Sequence, residues 1–167
     1  MARGLSKRSS ERQKSLRMRL ESTKGMSCYF RKHPFDRRGG STVKVLVTGA
    51  GGFLGHALTT ALLRHGQLDL DGKPVAITSL LLVDLNGVDV SAYPNHHQIE
   101  VRVRAGDLTA PAFIEAMMSE APDAIFHLAA SLTMAAERDG ASAFKLNITA
   151  LHEMIQHAVA PCRLIYT

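Results

Sequence analysis

An open, doubly wound α/β sheet is the fold this 167-residue sequence predicts. Three observations carry that prediction. Short β-branched, apolar runs alternate with segments of helical period, as the strands and crossover helices of a parallel sheet do. The first run ends in a glycine-rich turn that opens directly onto a helical segment. Most of the apolar runs are continuous, which marks strands covered on both faces.

Val43-Lys44-Val45-Leu46-Val47-Thr48 is the first strand, closed by glycines. Phe53 to His65 is the first helix, with Leu54, Ala57, Leu58, Ala61 and Leu62 as its inward face and Gly66 as its stop. Gln67 to Thr78 reads as a polar loop before the second strand, Leu80-Leu81-Leu82-Val83. Ile99, Val101 and Val103 alternate with Glu100, Arg102 and Arg104, so the third strand lies near a sheet edge. Thr109 to Ser119 is a helix with Thr109 as its cap, Pro111 in its first turn and one of Met117 and Met118 in the core. Ala124 to Leu128 is the fourth strand, Ala141 to Ala158 a long helix, and Arg163 to Thr167 the fifth strand. The chain stops in or just after that strand, so the expected sheet is incomplete at its C-terminal edge.

Hydrophobic residues make up 46% of the chain and charged residues 21%, which excludes a disordered or fibrous whole. The best apolar run, around Ser79 to Val83, stops at Asp84, well short of the roughly 20 residues that span a bilayer. Two cysteines, Cys28 and Cys162, exclude a disulfide scaffold and point to a reducing, cytoplasmic compartment. His96-His97 has no third ligand at metal spacing, so no metal site is expected. The net charge of +5 is unevenly spread: residues 1–42 carry 12 Lys and Arg against three acids, and residues 43–167 carry eight against 12. A basic extension over 1–42, expected to be disordered, therefore precedes a mildly acidic domain over 43–167, and overall charge gives no argument for nucleic acid. The extension has no secretory apolar region, and its single aromatic pair, Tyr29-Phe30, is a thin basis for RNA contact.

The informative segment is Thr48-Gly49-Ala50-Gly51-Gly52-Phe53-Leu54-Gly55. Gly49 lets the chain turn off the strand, Gly52 removes a Cβ where a pyrophosphate approaches, and Gly55 lets the helix pack on the sheet. The helix N-terminus, from Phe53 and Leu54, offers free N–H groups and partial positive charge. Asp84 closes the second strand, where a carboxylate accepts both hydroxyls of an adenine ribose and repels a 2′-phosphate. Leu85-Asn86-Gly87 adds no cation, so NAD is favoured over NADP.

These residues resemble the extended short-chain dehydrogenases/reductases, the NAD-dependent epimerases/dehydratases, a family of Rossmann type. The pattern T-G-x-x-G-x-x-G matches Thr48, Gly49, Gly52 and Gly55. The family's D-L matches Asp107-Leu108, implying a contact to adenine, and its H-L-A-A matches His127-Leu128-Ala129-Ala130, implying small residues along the cofactor cleft. A helical Asn that borders the active site is matched by Asn147. His127 alternates with Phe126 and Leu128 and is read as structural. A narrower resemblance is to the D-erythronate dehydrogenase branch, whose G-G-R-P-V looks like Leu70-Asp71-Gly72-Lys73-Pro74-Val75 and which shares Ala136, Glu137 and Asp139. Thr133 stands where that branch has Ser, and Ala150-Leu151 where it has Gly-Thr.

The resemblance implies an NAD-dependent oxidoreductase acting on a small sugar acid or related polyol, with a homodimer left open as its assembly. It also implies a Ser and a Tyr-x-x-x-Lys pair that handle the hydroxyl proton. The chain reaches Thr167 without them: four positions after Tyr29 stands His33, and four after Tyr93 stands His97. A cofactor-binding fragment without turnover is the expectation, so no catalytic residue is assigned. The alternatives are a sugar-nucleotide epimerase or dehydratase, and a non-catalytic NAD-binding or regulatory protein.

Overall fold

The computed structural model describes residues 42–70, 72–91, 93–95, 97–131 and 138–167. The basic extension up to residue 41, with Asp71, His96, Thr133, Ala136 and Glu137, lies outside them. The described elements are β1 (Thr42–Thr48), α1 (Phe53–His65), β2 (Gln67–Leu70), β3 (Lys73–Asp84), β4 (Glu100–Ala105), α2 (Pro111–Met118), β5 (Ala124–His127), α3 (Gly140–Phe144), α4 (Ala150–Gln156) and β6 (Arg163–Tyr166). A π-helical turn, Lys145–Thr149, joins α3 to α4.

The sheet is doubly wound, as the alternation of elements predicts. Its order is β2-β3-β1-β5-β6, with β4 on the outer side of β3. The pairs β1–β3, β1–β5, β3–β4 and β5–β6 are all parallel. The chain runs outward from β1 through β3 and β4 on one side and then returns to β5 on the other. The C-terminal ends of β1 and β5 therefore flank a switch point, the place where such sheets hold ligands.

One strand departs from the expected reading. Gln67 to Thr78 is not a polar loop but an antiparallel hairpin made by β2 and the start of β3, in which Leu68 opposes Val75 and Leu70 opposes Lys73. The Asp69 carboxylate accepts from Gly72 N at 2.8 Å, and Gly72 takes a φ of 76°, which fits a tight two-residue connection. β3 is consequently 12 residues long, and Val75 and Ile77 are buried where exposed residues alternate with them.

Alternation along the strands divides the core between the two faces of the sheet. One face carries Leu46, Leu81, Val83 and Ile125, packed with Ile114, Met117 and Met118 of α2 and with Ala150 and Met154 of α4. Both methionines are buried, where one was expected. On α1 the buried residues are Gly55, Thr59, Leu62 and Leu63, whereas Leu54, Ala57 and Ala61 are exposed. The inward face is thus turned by about one residue from the apolar stripe, because Gly55 must lie against the strand-to-helix turn. Ala110, not Thr109, is the N-cap of α2, and Thr109 N instead donates to Asp107 Oδ1 at 2.7 Å. Pro111 opens the helix as expected.

β4 pairs only with β3 among the described strands, in keeping with an edge position. Its two arginines hold it to the end of α2: Arg102 Nη2 lies 2.6 Å and Arg104 Nη2 2.7 Å from the Glu120 carboxylate. Among the described residues, no helix is long and apolar enough to cross a membrane.

Candidate functional site

The site is built at the strand-to-helix turn after β1. Gly49 has a φ of 69°, and a Cβ there would stand 2.6 Å from Ala129 N and 2.7 Å from the Leu128 carbonyl carbon. The turn therefore lies directly against the chain leaving β5. Ala50 N donates to Val83 O at 3.1 Å and Gly51 N to Asp84 Oδ2 at 3.0 Å, which ties the same turn to the end of β3. Gly52 is the N-cap of α1, and neither a capping side chain nor an acid of the first turn serves the helix's free N–H groups. Phe53 is 89% exposed and Leu54 55%, and neither is among the residues that line the cleft over this turn. Gly55 lies beneath, where a Cβ would overlap Gly49 O and come within 2.6 Å of Ala50 Cα.

A cleft of about 310 Å³ opens over this turn at the C-terminal ends of the strands. Gly49, Gly52, Asp84, Asp107, Leu108, Leu128, Ala129 and Ala130 line it. All eight are among the residues singled out in the sequence. Leu85, Gly106 and Leu146 also line it and were not singled out. Leu85 simply follows Asp84, and Gly106 precedes the Asp-Leu pair, so neighbourhood in the chain was the available signal. Leu146 is brought in by the long helical stretch and had none. No Lys or Arg is among the lining residues.

Asn147 does not line the cleft but acts on its wall. Its Oδ1 accepts from Ser131 N at 2.8 Å and its Nδ2 donates to Ser131 O at 3.2 Å, which fixes the chain just after Ala129 and Ala130. It stands in the π-helical turn, a feature that often marks functional sites. Asp139 caps α3 by accepting from Ser142 N at 3.0 Å, and hydrogen bonds from the Ser142 hydroxyl and then from its backbone N–H hold the Asp139 carboxyl below the usual range.

His127 is structural, as its alternation suggests. It is 3% exposed, and its Nδ1 lies 2.7 Å from the buried Thr48 hydroxyl, clamping β1 to β5 below the cleft. Burial lowers its pKa from the ordinary 6.5. Between the lowered value and about 6.5 the unfolded chain takes up a proton that the folded one refuses, so stability is full above that range and falls as pH drops through it. Thermal unfolding compared at pH 7.5 and 5.5 (roughly one unit either side of the free imidazole value) is expected to show this loss, and His127→Gln is expected to reduce it. Equal pH dependence in the two proteins would refute the assignment to His127.

The residues fit a dinucleotide. The glycines keep the turn free of side chains where a pyrophosphate would approach, and Asp84 stands at the strand end with no Lys or Arg among the described residues that line the cleft. Fold and cleft together define a dinucleotide-binding domain at the switch point of a doubly wound sheet. The chain belongs to the NAD dependent epimerase/dehydratase family, whose pattern matches residues 45–166, and its cofactor is NAD. It is 39% identical over 114 residues to the D-erythronate dehydrogenase of Cupriavidus necator, covering 68% of this chain and 34% of that protein. The corresponding enzyme of Haemophilus influenzae is 30% identical over 114 residues, 68% of this chain and 33% of that protein. The chain spans about a third of the length of these curated relatives. Among solved structures, the nucleoside-diphosphate-sugar epimerase of Agrobacterium tumefaciens superposes with a TM-score of 0.63 at 28% identity, over 75% of this chain and 36% of that one.

Proposed function

We propose that this chain is the cofactor-holding part of an NAD-dependent oxidoreductase that oxidises a hydroxyl of a sugar acid such as D-erythronate. The observation that carries the reading is Asp84, a carboxylate positioned by Gly51 N at the rim of a cleft without cations. When bound, the nicotinamide supplies the hydride-accepting chemistry. The chain's own residues bind and orient it. Asp84 takes the ribose hydroxyls, the Gly49–Gly52 turn and the α1 N-terminus take the pyrophosphate, and Asp107-Leu108 flank the adenine. Leu128 to Ala130 line the opposite wall, kept in place by Asn147 through Ser131. The sugar-acid substrate is supported by the 39% identity to a D-erythronate dehydrogenase and by the Leu70–Val75 hairpin, the segment that resembles that branch. A content of only two cysteines supports a reducing, cytoplasmic setting.

A second reading, a sugar-nucleotide epimerase with NAD, is favoured by the likeness to the Agrobacterium tumefaciens epimerase. Calorimetric titration with NAD and NADP tests the shared part of both readings: NAD is expected to bind more tightly, and tighter NADP binding refutes the Asp84 assignment. In a protein that joins this chain to the Ser and the Tyr-x-x-x-Lys pair that the resemblance implies, net formation of reduced nicotinamide from D-erythronate would separate the dehydrogenase from the epimerase, which returns its cofactor unchanged.

A further inference from the structure

The described residues of the connection from β3 to β4 form a strap that meets α1 at Tyr93 and again at His97. Its first residue, Leu85, is in the wall of the cleft and 64% exposed. From there the hydrogen bonds are local: Gly87 N donates to Asp84 O, Ser91 N to Asp89 Oδ1 and Tyr93 N to Val90 O. None of these three reaches α1. Tyr93 does: its hydroxyl lies 2.9 Å from His56 Nδ1, and the two rings are tilted by 37° with centroids 4.9 Å apart. His56 sits one helical turn beyond Gly52, to whose carbonyl its N–H donates at 2.8 Å. Among the described residues, this is the first hydrogen bond after Leu85 that anchors the strap to another element. The next comes at His97, whose Nε2 donates to Arg64 O at 3.1 Å.

We infer that the Tyr93–His56 contact is a latch that holds the Leu85 wall of the cleft and thereby sets how tightly the adenosine half of NAD is bound. The inference rests on the functional reading above. Tyr93 does not line the cleft and is a positioning residue. With the latch closed, the described stretch 85–91 is held between the end of β3 and Tyr93 before the nucleotide arrives. With it open, binding must order that stretch, and the entropy lost is subtracted from affinity. Burial and the Asp89 charge raise the Tyr93 pKa, so the phenol keeps its proton and stays a hydrogen-bonding partner for the imidazole.

Titration of NAD and AMP against the unchanged protein, Tyr93→Phe and His56→Asn tests the latch. Tyr93→Phe removes only the hydroxyl and is expected to weaken both ligands about five-fold, the scale of one net hydrogen bond, without moving the unfolding midpoint. His56→Asn presents an amide nitrogen where Nδ1 stood and is expected to restore binding, which a general loss of structure would not allow. His56→Ala, at an exposed helical site where Ala is a good helix former, opens the latch from the other side and decides the matter if Tyr93→Phe does not fold. Wild-type affinity for NAD and AMP in the open-latch variants overturns the inference while leaving the functional reading intact. Failure of the unchanged protein to bind NAD or AMP overturns both.

Discussion

Gly55→Ala is expected to destabilise the domain by at least about 3 kcal/mol, beyond the ordinary cost of one extra methyl in a core. The added Cβ would overlap Gly49 O and approach Ala50 Cα to 2.6 Å, and both are backbone atoms. A rotamer change offers no escape. Either α1 must lift from the sheet or the turn after β1 must move, and that turn is tied through Ala50 N to Val83 O and through Gly51 N to Asp84. The unfolding midpoint should fall by roughly 10 °C or more. Gly49→Ala should act similarly for a second reason, since its φ of 69° is unfavourable to a side chain and its Cβ would stand 2.6 Å from Ala129 N. Gly140→Ala is the control: nothing lies within 4 Å of its Cβ position, so the change should be neutral or slightly stabilising. Thermal unfolding followed by circular dichroism distinguishes these cases, and a Gly55→Ala midpoint within about 2 °C of wild type would refute the packing argument.

The same contact explains why the sequence revealed the turn but misplaced the helix behind it. Gly49, Gly52 and Gly55 are read from local spacing, and each stands where the spacing predicts. The inward face of α1 can be read that way only in part: Leu62 is buried as expected, but the stripe of Leu54, Ala57 and Ala61 is exposed and that of Thr59 and Leu63 is buried. The contact of Gly55 with Gly49 O selects between the two stripes, and that is a property of the folded turn. The β2–β3 hairpin was missed although Asp71-Gly72 is a two-residue turn signal, because polar residues around it outweighed the alternation of Leu68 and Leu70. In the cleft, residues that end a strand or follow it directly were legible. Leu146 was not, since it reaches the cleft only through the placement of a helix and a π turn that no apolar period encodes.

Asp84→Asn is expected to lower NAD affinity about ten-fold and to erase most of the preference over NADP. The substitution is nearly isosteric, and the Asn side-chain oxygen can still accept from Gly51 N, which donates to Asp84 Oδ2 at 3.0 Å. Loop geometry is therefore kept while the charge is lost. On the proposed reading, what goes is the charged acceptor for two ribose hydroxyls, and hydrogen bonds to a charged group contribute roughly 1.5–3 kcal/mol each. For NADP the sign reverses. Asp84 and a 2′-phosphate are like charges at the same place, with no Lys or Arg in the cleft lining to separate them, so removing the carboxylate removes a repulsion. NADP should bind more tightly to the variant by about the factor NAD loses, so that selectivity changes roughly 100-fold in total. Asp84→Ala should bind both dinucleotides less tightly than Asp84→Asn does, because it also leaves Gly51 N without its acceptor and loosens the turn proposed to hold the pyrophosphate. Calorimetric titration of both dinucleotides against both variants measures this. If Asp84→Asn keeps the wild-type NAD-to-NADP ratio, Asp84 is a strand-end residue that holds Gly51 and nothing more. If the ratio collapses while Gly51 keeps its acceptor, the discrimination lies in the charge and not in the shape of the loop.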